Sequence, residues 1–183
     1  SFTGKDGKKI PQNSNPAAGT KMVNGPNGLF LMTPDRNTVM MLLPYSHAVV
    51  SNNTDKDLVI ELMDGSLFVN GEKADNNRNL VIESFNEKLI RKGTRFLFTR
   101  AGDTSKLIVY EGEVDVLLKK DNSTITVPAG KVYYNDSKSP YLIKDTARFE
   151  SSAVLMTIPK DSFNIQWNEN PSGGQTNAPK NKD

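Results

Sequence analysis

The sequence predicts an all-β domain: an antiparallel β-sandwich or β-roll of short strands with little helix. Three observations predict it. Turn dipeptides recur at short intervals, at Asn24-Gly25, Asn27-Gly28, Pro34-Asp35, Asp64-Gly65, Asn70-Gly71, Lys92-Gly93, Ala101-Gly102, Glu111-Gly112, Asp121-Asn122 and Ala129-Gly130. Between them, apolar residues alternate with others at the period of two that turns one strand face to a core and the other to water. The apolar runs are also short, the longest being Val39 to Leu43, which leaves helices little room.

The strands can be taken in order. From Lys21 to Thr33, Met22, Val23, Leu29, Phe30, Leu31 and Met32 are apolar but interrupted by Asn-Gly turns. Leu58, Ile60 and Leu62 alternate with Val59, Glu61 and Met63, and Asp64-Gly65 is expected to turn the chain. Leu67 and Val69 flank Phe68 before Asn70-Gly71, the dipeptide suited to a two-residue hairpin with positive φ at both positions. Leu80 and Ile82 alternate with Val81 and Glu83, and Phe96 and Phe98 flank Leu97. Val114, Val116 and Leu118 alternate with Glu113, Asp115 and Lys119, and Ile125 and Val127 with Thr124 and Thr126. Residues 85–92, FNEKLIRK, fit either one helical turn or an irregular crossing. Residues 144–159 could begin as a short helix, with Val154 to Ile158 read as a closing strand.

At 183 residues, the chain has room for one ordinary core and not for two large domains. Residues 22–167 are expected to form that single domain, between a polar tail at 1–21 and another at 168–183. The first twenty residues are rich in Gly, Pro, Asn, Ser and Lys, with only Phe2 and Ile10 as sizeable apolar groups, too few to fold alone. The chain opens on Ser1 and not Met, so it is expected to be either a processed product or an engineered segment. Lys plus Arg (23) nearly cancel Asp plus Glu (21), and the basic residues are scattered. Nucleic acid binding needs a concentrated basic stripe and is not expected. With no cysteine, disulfides, Cys-based zinc sites and thiol nucleophiles are excluded. A membrane-spanning helix requires ~20 apolar residues, and no run approaches that length.

Four motifs point to a family. Asp64-Gly65-Ser66, Gly93-Thr94-Arg95-Phe96, Tyr110-Glu111-Gly112-Glu113-Val114 and Val127-Pro128-Ala129-Gly130-Lys131 stand in the order found in FecR-type domains, which the chain resembles from about Pro44 to Asn135. The resemblance implies an all-β domain of the bacterial envelope that works as a sensor or interaction module. The best-known members relay signals to a sigma factor and carry a membrane helix and a further C-terminal domain. This chain lacks the helix, and the stretch after Asn135 is short for a second domain.

Candidate chemistry is sparse. His47 is the only histidine, with Ser46 and Ser51 as conceivable neighbours, but no nucleophile-elbow G-x-S-x-G occurs. Residues 53–57, NTDKD, open like a calcium loop, yet Leu58 stands where that loop needs glycine and Asp64 where it needs glutamate. Glu61, Asp64, Glu83, Glu111, Glu113 and Asp115 could supply a hydrolase pair only if folding brings two together. Tyr110, Tyr133, Tyr134, Tyr141 and Trp167 could line a glycan surface or cap a small core.

The expectation is therefore a non-catalytic interaction or structural protein without cofactor or metal, secreted or in the cell envelope. Its partner would be protein, either another copy or another envelope component. Met22, Val23, Leu29, Phe30 and Trp167 are the candidate contacts, with the terminal segment adding as a strand to a neighbour's sheet. A periplasmic sensing domain is the alternative, and a glycan-active hydrolase a third reading.

Overall fold

Three glycines decide the shape of this chain. The structure is a computed structural model and describes residues 2–4, 6–11, 14–26, 29–32, 38–71, 79–136 and 142–145. Its three longest strands, β6 (Asp57–Gly71), β8 (Glu87–Ala101) and β9 (Thr104–Leu118), each run 15 residues and each carry an internal glycine with positive φ. These are Gly65 (φ 92°), Gly93 (φ 62°) and Gly112 (φ 73°). Positive φ bends a strand without ending it. Asp64-Gly65, Lys92-Gly93 and Glu111-Gly112, expected as chain reversals, are instead corners within continuous strands. The expectation of uniformly short strands is corrected accordingly.

The bends let each long strand change neighbours halfway. In one half of the sheet, the first part of β6 lies between β5 (His47–Asn53) and β7 (Asn79–Glu83), and β7 passes the sheet on to β8, β9 and β10 (Thr124–Pro128). In the other half, the last part of β6 lies between β4 (Thr38–Leu42) and β8, followed by β9, β11 (Lys131–Asn135) and β12 (Leu142–Asp145). The outer strands are β1 (Phe2–Thr3) beside β2 (Lys21–Val23), and β3 (Leu29–Met32) beside β4. Together the described strands form one 12-stranded sheet, and none of the described residues is helical.

All-β is thus correct, but the sheet is mixed. β7 runs parallel to β6, from Asp57↔Asn79 to Glu61↔Glu83. Parallel neighbours cannot be joined by a two-residue turn, so Asn70-Gly71 is not the expected hairpin. Gly71 instead leaves space for Arg91, whose guanidinium a Cβ there would strike and which donates to Thr38 Oγ1 at 2.5 Å. Residues 87–92, open between helix and crossing, are the start of β8.

The core is one cluster drawn from both halves. Ile60, Leu62, Ile82, Leu89 and Val116 come from one, and Leu42, Leu67, Phe96, Phe98, Leu107 and Tyr133 from the other. A polar clamp crosses the same interior. Glu87 is only 1% exposed, and its carboxylate accepts from Ser84 Oγ (2.5 Å), Ser105 Oγ (2.6 Å), Tyr133 OH (3.2 Å) and Asn135 Nδ2. Ser84 and Glu87 belong to one half and the other three donors to the second, so the carboxylate ties the halves together.

Residues 14–20, read as part of a polar tail, lie along β5. Asn53 Nδ2 donates to Asn15 Oδ1 and the Pro16 carbonyl, and Val50 exchanges backbone hydrogen bonds with Gly19 and Thr20. Polar side chains and backbone hold this segment where apolar burial could not. The closing strand expected at Val154 to Ile158 and the tail at 168–183 lie outside the described residues.

Candidate functional site: an exposed corner

The corner at Gly65 is built from hydrogen bonds that the local sequence supplies. Asn24 is buried and its Nδ2 donates to the carbonyls of Leu42 (2.9 Å) and Leu43 (3.0 Å), bracing the exit from β4. Ser46, fully buried, accepts from the Ser66 amide at 2.9 Å through Oγ, and its carbonyl accepts from the Asn24 amide. The fit around Gly65 is tight: a Cβ there would overlap Ser46 Oγ and stand 2.7 Å from Ser46 Cα.

This rigid frame presents an apolar surface. Tyr45, between β4 and β5, adopts φ 58° and leaves 71% of its surface in water. Its amide donates to the Gly25 carbonyl at 3.0 Å, which fixes the backbone in that conformation. Left-handed backbone is unfavourable for a bulky non-glycine residue, and such strain persists only where the surroundings impose it. Val23 (42% exposed) and Met63 (43%) belong to the same corner. Val23 pairs with His47, and His47 with Asp64; Met63 is the extra residue of the bulge beside that pair. An exposed aromatic two residues before His47, whose register partners lead to exposed Val23 on one side and to the Met63 bulge on the other, suits a contact with another protein.

The expected site residues are therefore divided. Val23 lies on this surface, whereas Met22 is fully buried in the core opposite Ala48. Strand β2 is paired on both sides, by β1 and β5, so its backbone is not free to extend a neighbour's sheet. Leu29 and Phe30 lie on β3, opposite Leu42 and Met41, and among the described residues β3 is paired on one side only. Trp167 and Tyr141 lie outside the described residues.

The chemical candidates are occupied with structure. Ser46 Oγ, beside His47 in sequence, serves the Ser66 amide. In the loop at 53–57, Thr54 closes the turn on Asp57, and Asp57 accepts from Asn79 Nδ2. Glu111 pairs with Arg95 at 3.2 Å, and Asp115 accepts from Thr126 Oγ1 at 2.6 Å. Glu83 bridges Lys88 (2.9 Å) and Lys119 (3.3 Å). Partial burial pushes its carboxyl up, but the hydrogen bonds and charges of the two lysines outweigh that and hold it below its ordinary value. Tyr110 stacks at a tilt against Phe68, and Lys106 lies over the Tyr134 ring.

Sequence reading missed Glu87 and Tyr45. Glu87 had a signal, since it alternates with Leu89 and so falls on the inward face of its strand. Tyr45 had none, because nothing in Pro44-Tyr45-Ser46 asks for positive φ.

No family model matches the chain, and no curated protein matches it in sequence. Among solved structures, the fold is similar to two crystal structures of a candidate anti-sigma factor from Parabacteroides distasonis ATCC 8503, each with a TM-score of 0.61 and 17% identity over 75% of this chain. The chain spans 64% and 65% of the length of those two chains. At that identity, the likeness is one of fold.

Proposed function

We propose that this chain is a non-catalytic protein-interaction module built on a FecR-type β-domain, acting in the bacterial envelope or outside the cell through the Val23–Tyr45–Met63 corner. Its bent sheet is read as a β-roll closed around the Glu87 clamp. The observation that carries the proposal is Tyr45, a strained aromatic held in water by a braced frame. A protein that spends backbone strain on exposing an aromatic ring gains most if the ring meets a partner. Among the described residues β3 is paired on one side only, which supports a second contact by strand addition at Leu29 and Phe30.

Self-association through the corner is tested by sedimentation across a range of concentrations. The native chain is expected to form a larger species that Tyr45→Ser with Met63→Ser abolishes at unchanged thermal stability. Identical behaviour of native chain and variant at every concentration would remove the corner as a self-association surface.

The periplasmic sensing role is the second reading, favoured by the fold likeness to the candidate anti-sigma factor. A stable complex with the periplasmic part of a membrane receptor, sensitive to the same two substitutions, would support it over self-assembly.

A further inference from the structure

Among the described residues, five large apolar side chains stand open to water, and four of them, Val23, Tyr45, Met63 and Phe85, fall at one end of the sheet. The register brings them there. Val23 stands opposite His47 and His47 opposite Asp64, with Tyr45 two residues before His47 and Met63 in the bulge beside Asp64. Glu61 and Glu83 form the last parallel pair of β6 and β7, and Met63 and Phe85 each stand two residues beyond it. Val23, Met63 and Phe85 each follow directly on a buried residue, Met22, Leu62 or Ser84, so alternation turns all three to the outer face. The result is a row across the ends of β2, β5, β6 and β7, three strand spacings or about 14 Å long.

Phe85, 69% exposed, sits on a turn that is fixed at both ends. The Ser84 amide donates to the Glu87 carbonyl at 2.9 Å, the Lys119 amide to the Asn86 carbonyl at 2.8 Å, and Lys119 Nζ to the Ser84 carbonyl at 2.7 Å. Ser84 Oγ is in turn tied to the buried Glu87 carboxylate. Phe85 is thus the second aromatic ring that a braced frame holds in water at this end. The neighbouring charges are engaged within the chain: Glu83 with Lys88 and Lys119, and the Arg100 guanidinium with the carbonyls of Leu62 and Gly102.

We propose that this row is a two-fold contact with a second copy of the chain, in which Val23 packs against Phe85 of the second copy and Tyr45 against its Met63. The proposal rests on the reading of the Tyr45 corner as a contact surface, and adds to it Phe85 and the identity of the occupant. Two observations select a second copy. Along the rim the order is Val23, Tyr45, Met63, Phe85; reversed by a two-fold axis, each aromatic ring meets an aliphatic or thioether side chain, and sulfur against an aromatic ring is favourable. Identical surfaces also bring like charges together, which costs least where those charges are already engaged, as Glu83, Lys88, Lys119 and Arg100 are. The row offers on the order of 400 Å² per copy, about half of one side of a standard interface, so the dimer is one that dissociates on dilution.

The test uses the full chain. Benzoyl-phenylalanine replaces Phe85, isotope-labelled and unlabelled chains are mixed and irradiated, and the covalent dimer is mapped by mass spectrometry. The expected product links a labelled to an unlabelled chain, with the crosslink at Val23 or its neighbours on β2. Links within one chain only, or between chains at sites outside β2, would overturn the arrangement. Phe85→Ser, a change at an exposed position, should raise the concentration for half-dimerisation about tenfold or more in sedimentation at unchanged thermal stability. These outcomes separate from those of the corner itself. A dimer abolished by Tyr45→Ser with Met63→Ser but untouched by Phe85→Ser would keep the corner and overturn this proposal, whereas a native chain that stays monomeric at every concentration would remove both.

Discussion

Tyr45 carries two unfavourable features at once, a left-handed backbone and an exposed ring, and neither benefits the isolated fold. An L-residue in that conformation costs about 1–2 kcal/mol that glycine avoids. Tyr45→Gly is therefore expected to leave stability unchanged or raise it by up to about 1 kcal/mol, after allowing for the added freedom of the unfolded chain. The same substitution should abolish association, as read by sedimentation beside a denaturation curve. Glu87 is the opposite case, a residue whose value is internal. Glu87→Leu would leave the hydroxyls of Ser84, Ser105 and Tyr133 buried without their acceptor, each at about 1–3 kcal/mol. Denaturation should show a loss above about 3 kcal/mol. Glu87→Gln keeps one oxygen for three donors and offers an amide to Ser84 Oγ, so a loss of about 1–2 kcal/mol is expected.

At the scale of elements, the bent strands are the controlling feature. Gly112 faces the Gly93 carbonyl oxygen, which an added Cβ would overlap, so the β8 and β9 bends are nested and depend on each other. Gly112→Ala should cost at least about 1–3 kcal/mol from backbone strain alone, seen as a fall in Tm of about 2–4 °C per kcal/mol. These bends also mark how far the sequence could be read. The strands around Leu58, Leu80, Phe96, Val114 and Ile125 were legible because period-two alternation is local. The role of the glycines was not, since a glycine that bends a strand and one that reverses it carry the same signature, and the neighbours that decide between them are distant in sequence. The parallel β6–β7 pairing was hidden for a similar reason: it rests on contacts between segments separated by residues 72–78. Val23 and Met22 were both read as contacts from their apolar character, and the structure separates them into an exposed and a buried residue, because one step along a strand exchanges the two faces.

Across the whole molecule, two sheet halves are held by a shared apolar core, one buried carboxylate and three continuous strands. Charge contributes less, and mostly at the surface. The folded Glu83 carboxyl titrates below its ordinary value, so its contribution is present above pH ~4.5 and is lost as pH falls through the lowered folded value. Because the pair partners stand at the surface and the group is only partly buried, solvent screening should keep the effect below about 1 kcal/mol. Glu83→Gln is expected to flatten that part of the acid limb in a pH series of denaturation curves. The proposed interaction falls on the outside of the sheet, at the Val23–Tyr45–Met63 corner braced by Asn24 and Ser46. The most direct measurement is photocrosslinking in the native host with benzoyl-phenylalanine at position 45, against a control at Thr126, an exposed position on β10 in the same sheet half. The account predicts a discrete covalent protein adduct from position 45 that is absent from position 126. Adducts from position 126 alone, or none from position 45, would contradict it.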